Sequence, residues 1–441
     1  MSTRDVRRRI RSTVITPSAA RLATSLRDIG YDTTTAIADV VDNAVSAGAS
    51  RISVDLTVHT HAGPVVVICD DGDGMSRGGV LEALRFGSSR TYAPGDLGRY
   101  GLGLKTASLS QARTLTVASR RKGTGTAGPI TTARLALDAI CEADDWVVTE
   151  LGEQPGDAAA DLAAACIEGG SSTVVVWSDL DRLLPPSRSS AAWSARRLAD
   201  AGAKLSEHLS MVFSRLMSGP RGLRISVNGS GLAPWDPFCT DEDATVEMDP
   251  QTFQIPTGTD GSVGTVTLRR FVLPTRDRFS TPAAFEAAGG PRRWNRQQGL
   301  HVYRADRLVS WGGWAGIRAV DEHTKLARAS LSFGTDLDEK FNVDVAKMKV
   351  SVPAELRAGL ERSVADLCAA ADVAYRNAAS TKPAAHRSAP APFAGGDLSG
   401  AGLGLLSAAV QSGHHNALRE IVAVWRTASP ELVAALGLDA L

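Results

Sequence analysis

The sequence predicts an α+β protein in which a mixed sheet, covered by helices on one face, is followed by a second α+β domain. Three observations lead there. Short Val/Ile-rich runs between residues 51 and 177 are joined by connections mostly too short for crossover helices, which favours antiparallel pairing. An amphipathic helix precedes the first of them, and a further set of strand-like runs begins only after a helical stretch at Asp200 to Met217.

Taken in order, Ile37, Val40, Val41, Ala44 and Val45 recur at helical spacing between Thr33 and Ala47, with threonines available as N-caps and Gly48 as a stop. Arg51 to Val58 alternates as a strand, and Pro64 to Cys69 is a continuous Val/Ile run that leads straight into an acidic glycine turn. Leu115 to Ser119, Ala133 to Leu137, Trp146 to Leu151 and Thr173 to Trp177 are the remaining strands of the first sheet. The second set runs through Leu223 to Val227, Gly264 to Phe271, Leu300 to Tyr303 and Leu308 to Trp311, and Pro353 to Asn377 reads as a helix. Ser380 to Gly404 is rich in Pro, Ala, Ser and Gly, the composition of a linker. The predicted order is a basic arm at 1–16, a first domain at 17–204, a second at 205–378, a linker at 379–404 and a small helical tail at 405–441.

Composition narrows the class. At 441 residues the chain exceeds what one core usually serves. Lys plus Arg balances Asp plus Glu at 48 each, so any affinity for nucleic acid must come from a local patch. No apolar run approaches the length of a membrane span, and the arginine-rich start lacks the apolar segment of a secretory signal. The five cysteines are scattered and never in C-x-x-C spacing, which disfavours a disulfide framework or a zinc site and fits a reducing cytoplasm.

Three stretches carry candidate chemistry. On the Thr33 to Ala47 helix, Asp39, Asn43 and Ser46 share a face, expected to point outward opposite the apolar stripe. An Asn carbonyl oxygen there can ligate Mg²⁺ while a carboxylate one turn away orients or deprotonates a water. Next comes Asp70-Asp71-Gly72-Asp73-Gly74-Met75, with Asp70 placed to accept from an exocyclic amine and glycines where a flat ring needs room. Alone, this turn also admits a tight turn or a calcium loop, although the further ligand positions and closing Glu of the latter are missing. Third, Gly98-Arg99-Tyr100-Gly101-Leu102-Gly103-Leu104-Lys105 opens a helix whose free amides favour bound phosphate, with Lys105 as an added point charge. It has neither the Walker nor the dinucleotide spacing. Asp70 follows Asn43 by 27 positions and Gly98 follows Asp70 by 28, and the joint order is far more specific than any one motif.

These motifs resemble those of the GHKL ATPase superfamily, the group of gyrase, heat-shock chaperones, histidine kinases and MutL, whose nucleotide fold is a Bergerat α/β sandwich. Asp39-Val-Val-Asp42-Asn43-Ala-Val-Ser-Ala-Gly48 looks like its N-box. The resemblance implies ATP and Mg²⁺ as cofactors, Asp39 as general base, Asn43 as the Mg²⁺ ligand, and Asp70 with Gly72, Gly74 and Met75 as the adenine site. It also implies a lid of Gly98, Tyr100, Gly101, Leu102, Gly103, Leu104 and Lys105, led by Ser88 and Ser89, with Thr173 supporting adenine from a strand. Most MutL-like, gyrase-like and microrchidia (MORC) proteins carry Glu where this chain has Asp39, one methylene shorter. A misplacement of about 1 Å can cost roughly a hundredfold in rate, so slow turnover is expected.

In the second domain, the run from Phe341 through Lys347 to Val352 resembles the MutL segment whose lysine reaches the γ-phosphate, making Lys347 the sensor and Lys349 its fallback. Gly299 to Val309 resembles a MORC transducer hairpin, and the likeness spans roughly residues 17 to 357. Histidine kinases fit less well, since they lack such a domain. The expectation is an ATP-gated homodimeric clamp acting on DNA, or else a chaperone-like or regulatory ATPase acting on a protein partner. The basic residues of Arg4 to Arg11, and Arg292, Arg293 and Arg296 around Trp294, are the clusters able to meet phosphates, with the tryptophan available to stack. No nuclease motif or metal-binding cysteine cluster follows residue 380, so the output is expected to pass through a separate protein partner.

Overall fold

The computed structural model describes residues 13–28, 30–87, 101–123, 128–152, 156–185, 190–257, 262–291, 293–343, 350–381, 399–411 and 414–439. It divides into two compact units, Met1–Ala378 and Ala379–Leu441. Both α+β regions lie in the first.

The nucleotide-side elements follow one another as α1 (Ala19–Leu26), α2 (Thr33–Ser46), β1 (Arg51–His59), β2 (Gly63–Asp70), α3 (Arg77–Leu84), α4 (Gly103–Gln111), β3 (Thr114–Ser119), β4 (Thr131–Ala136), α5 (Leu137–Ala143), β5 (Thr149–Leu151), α6 (Ala158–Glu168), β6 (Thr173–Ser178), α7 (Ala191–Val212), α8 (Ser214–Ser218), β7 (Arg224–Val227) and β8 (Ser230–Gly231). Their strands form one eight-stranded sheet in the order β5-β4-β3-β6-β2-β1-β7-β8. Every pairing in it is antiparallel except the parallel register of β1 on β7. The sheet is mixed, as expected.

Alternation along the strands decides which side each helix covers. Ile52, Val54, Val66, Ile68, Leu115, Val117, Val175 and Trp177 face a core shared with α2, α4, α5 and α7. The opposite residues Val65, Val67, Cys69, Val174 and Val176 pack on Ala159, Ala163 and Ile167 of α6. One helix therefore adds to the expected one-faced cover, where the continuous Val/Ile runs leave both strand faces apolar.

The second set continues with β9 (Val246–Pro256), β10 (Val263–Val272), α9 (Pro282–Ala288), α10 (Arg293–Gln297), β11 (Gly299–Arg304), β12 (Arg307–Trp311), β13 (Ala327–Phe333) and α11 (Ala354–Thr381). Its sheet has the order β12-β11-β13-β10-β9, with β11 and β13 parallel. Leu356, Leu360, Val364, Leu367 and Ala371 of α11 recur every three or four residues and join the core of this sheet. In the second unit, α12 (Ser399–Gln411), α13 (His415–Ala428) and α14 (Pro430–Ala435) gather around Leu418, Val422, Val433 and Leu438.

Several expectations change. The cap of α2 is Asp32, whose carboxylate accepts from Thr35 N at 2.8 Å, not a threonine. The strand at Leu223 to Val227, read as part of the second domain, pairs with β1 in the first sheet. Leu137 starts α5 instead of ending β4, and β5 is only three residues long, with Trp146 ahead of it packed on Phe86, ring centroids 5.0 Å apart. A helix begins at Ser399, inside the stretch read as linker. No helix among the described residues is long and apolar enough to cross a membrane.

Candidate functional site

Helix α2 is almost wholly buried, so its polar residues are not a solvated face. Asn43 is exposed, but Asp39 is 2% exposed and Asp42 is fully buried. This corrects the expectation that a carboxylate and an amide point outward together. A buried carboxylate needs donors, and Tyr31, just ahead of the helix, supplies one: its hydroxyl donates to Asp39 Oδ2 at 2.8 Å. Tyr31 is held in turn by Gln111 of α4, whose side-chain amide donates to the Tyr31 carbonyl at 3.0 Å.

Asp70 ends β2 opposite Thr173 of β6. The turn after it folds back on the end of α2: the Asp73 amide donates to the Ala47 carbonyl at 2.9 Å, and the Gly72 amide donates to Asp70 Oδ1 at 2.8 Å. A side chain at position 72 would meet the Ala47 carbonyl at 2.8 Å and Asp70 Oδ1 at 2.9 Å, so glycine is required for close approach. Burial pushes the Asp70 carboxyl up to about 6, against the lowering effect of the Gly72 amide. Asp71 points the other way. Although burial raises it, the Ser50 hydroxyl and the Ser50 and Arg51 amides hold it down at about 2. Those bonds make Asp71 a turn anchor.

Behind Asp70 runs a hydroxyl chain. Thr173 Oγ1 and Ser119 Oγ are 2.9 Å apart, and Ser119 Oγ accepts from the Met75 amide at 2.8 Å. Thr173, Met75 and Asp70 are thus tied into one wall. Ser119 was not singled out in the sequence, because a serine ending a strand carries no signal of its own.

The glycine loop is described from Gly101 onward; Ser88, Ser89, Gly98 and Tyr100 lie outside the described residues, as do Lys347 and Lys349. Leu102 gives α4 no side-chain cap, so the first amides of the helix are open to an anion. That end of α4 lies against α2: a Cβ added at Gly103 would stand 3.6 Å from Asp39 Oδ2. Lys105, expected as a phosphate contact, is 2% exposed, and its ammonium donates to the carbonyls of Ala83, at 3.0 Å, and Gly101. It ties the last turn of α3 to the loop. Burial pulls its ammonium down to about 8, against the carboxylate of Glu82.

Gly103 therefore lies against Asp39 in the middle of α2, and Gly72 lies against Ala47 and Asp70 at the C-terminal end of the same helix, two points about 12 Å apart along its axis. The donor set suits a magnesium-bound triphosphate. Hard oxygen donors come from Asp39 and exposed Asn43, a buried acceptor stands at Asp70, and uncapped helix amides lie at Gly103. Outside this region, Trp294 stacks on Phe285 with centroids 4.6 Å apart and lies under the Arg328 guanidinium, so it is engaged within the protein instead of free to stack on a base.

Residues 31–167 match the family model of the histidine kinase-, DNA gyrase B-, and HSP90-like ATPases. Over 92 residues, 21% of this chain, the sequence is 36% identical to ATPase morc-1 of Caenorhabditis elegans, and the match spans 11% of that relative's length. The solved N-terminal domain of a DNA repair protein aligns over 83% of this chain and all of its own at 14% identity, with a TM-score of 0.43. The fold is of the Bergerat type that this family model describes. Segment 31–167 belongs to the GHKL ATPase family.

Proposed function

We propose that this chain binds Mg-ATP between α2, the Asp70 turn and the start of α4, hydrolyses it slowly, and works as an ATP-gated dimeric clamp on DNA. The observation that carries the nucleotide reading is the convergence of three distant stretches: Gly103 against Asp39, and Gly72 and Asp73 against Ala47 at the far end of the same helix. In this reading Asp70 accepts from the adenine amine with Met75 and Thr173 behind it. Asn43 holds Mg²⁺, the amides of Gly103 and Leu104 meet phosphate, and Asp39 orients the attacking water. The magnesium ion supplies charge neutralisation on the phosphates. Asp39 is the weak member, since its side chain is shorter than Glu and already accepts from Tyr31. Lys347 is the proposed sensor of the γ-phosphate, with Lys349 as its fallback.

Nucleotide binding and turnover, measured on wild type, Asp39→Ala, Asn43→Ala and Asp70→Asn, test this reading. Asp39→Ala is expected to bind without turning over, and the other two to bind poorly. Wild-type levels of both in all three would end it.

The clamp on DNA is supported by the resemblance of the second domain to MORC and MutL transducers and by the basic arm at Arg4 to Arg11. Light scattering with a non-hydrolysable ATP analogue is expected to report a dimer. DNA affinity is expected to fall steeply between about 50 and 200 mM salt. A second reading, a chaperone-like or regulatory ATPase acting on a protein partner without nucleic acid, is favoured by the internal packing of Trp294, whose ring is engaged by Phe285. ATP hydrolysis indifferent to DNA would select it.

A further inference from the structure

The residue beside the proposed magnesium ligand is itself occupied by the second sheet. Asp42 immediately precedes Asn43 and stands one turn after Asp39 on α2, and it is fully buried. Its carboxylate is met by Arg307, which begins β12, 265 positions away in sequence. Arg307 Nε lies 2.8 Å from both Asp42 oxygens, and the two side chains are 3% and 0% exposed. The guanidinium also donates to the Leu308 carbonyl at 3.3 Å and lies 5.9 Å over the Phe213 ring.

The hairpin that delivers Arg307 is shaped for the purpose. Ala305 and Asp306 join β11 to β12 as a two-residue turn, and both have positive φ, 46° and 64°. Such a turn matches the twist of the strands but is strained for residues other than glycine and asparagine or aspartate. Strain of this kind persists where surrounding contacts hold it, and here Ala305 and Trp311 pack against the core of the first sheet. Arg215 of α8 adds a contact to Asp306 at 3.7 Å.

We propose that Arg307 is a positioning residue for the ATPase site, fixing α2 through Asp42 and carrying the state of the nucleotide to the β11–β12 hairpin. This rests on the nucleotide reading above and adds a route for it that does not pass through the lysine segment. The physical ground is that a buried carboxylate held by both oxygens on a planar guanidinium has few alternative arrangements. Any shift of α2 that follows occupation of Asn43 moves the hairpin with it. Coupling of this kind is reciprocal, so the hairpin must also bias nucleotide binding.

The test compares full-length wild type with Arg307→Lys and with the neutral pair Asp42→Asn/Arg307→Gln, which leaves no unpaired charge in the interior and guards against simple unfolding. Hydrogen exchange over residues 299–311 is measured with and without a non-hydrolysable ATP analogue and Mg²⁺, alongside kcat and KM. In wild type the analogue is expected to slow exchange across the hairpin. The neutral pair is expected to bind the analogue, to lose that protection, and to drop kcat about tenfold or more with KM within about threefold, as loosening of an aligned catalytic helix produces. Arg307→Lys should recover part of kcat. A wild type that binds the analogue with no change over 299–311, or a neutral pair that protects the hairpin and turns over like wild type, overturns the coupling and leaves the nucleotide site standing. A wild type that fails to bind the analogue overturns both.

Discussion

The Tyr31 hydroxyl donates to Asp39 Oδ2 at 2.8 Å, with both side chains buried. A short carboxylate thereby gains a fixed orientation that a longer Glu obtains from reach. The same bond occupies one of the carboxylate's two oxygens. Tyr31→Phe is expected to leave nucleotide affinity within about twofold and to change kcat by about tenfold or more, since orientation within 1 Å decides such steps. Stability should fall by about 0.5–1.5 kcal/mol, the net worth of one buried hydrogen bond. Equal loss of binding and turnover would place Tyr31 in adenine recognition instead.

Asp70 sets function against stability. Its carboxyl is raised from 3.8 to about 6, chiefly by burial. The folded state therefore takes up this proton at a higher pH than the unfolded chain does. The group's contribution is most favourable at low pH and is lost as pH rises through 6, a difference of roughly 3 kcal/mol by pH 7. Asp70→Asn is expected to raise the melting temperature of the nucleotide-free protein at pH 7.5 while weakening ATP binding. In wild type, ATP affinity should decline as pH is lowered through 6, because a protonated carboxyl is a poorer acceptor. Thermal melts of the nucleotide-free proteins at pH 7.5 check the first sign, and calorimetric titration with ATP at pH 5.5 and 7.5 checks the second.

How much of this was legible beforehand follows from the range over which each signal acts. The period of α2 and the runs of β1 and β2 are local patterns, and these elements appear where expected. Strand β7 was assigned to the wrong sheet because a four-residue run says nothing about its partner, and β1 lies about 170 positions earlier. The short alanine-rich helix α6 was missed, since Ala158–Glu168 offers little amphipathic contrast. Asp39 was read as outward because helical spacing shows which residues share a face but not what covers that face, and here α4 covers it. Tyr31 carries no sequence pattern, and Arg307, although it lies in the hairpin that resembles a transducer, could not be paired with Asp42 from sequence, because each acquires its role from a partner in another element.

Lys105 separates a structural tie from a phosphate ligand. Its ammonium is lowered to about 8, chiefly by burial, so between pH 8 and the unfolded value of 10.5 the unfolded chain holds more protons. Stability from this group accordingly rises with pH across that window and is lowest below 8. Lys105→Met is expected to flatten the rise in denaturant midpoint between pH 8 and 10. If the ammonium leaves Ala83 and Gly101 to meet phosphate, ATP binding in wild type at pH 8 takes up protons, seen as a buffer-dependent binding enthalpy. A buffer-independent enthalpy would keep Lys105 as a tie between α3 and the loop.

Two glycines on opposite sides of the site should respond in opposite ways to alanine. Gly74 has φ +66°, and a Cβ there would lie 2.0 Å from the Arg120 carbonyl, a backbone atom that cannot swing aside. Gly74→Ala is expected to destabilise the protein by about 2–4 kcal/mol, through both the left-handed backbone and the clash. Gly103 has ordinary helical backbone, and its added Cβ would find Asp39 Oδ2 at 3.6 Å, normal contact. Gly103→Ala should keep its stability within about 1 kcal/mol of wild type, because alanine is the better helix former. Its methyl group would nonetheless stand between the first amides of α4 and Asp39, the position proposed for the phosphates. Its ATP affinity is therefore expected to fall at least tenfold in a protein that melts normally. Unchanged affinity in that well-folded variant would move the phosphates away from the start of α4.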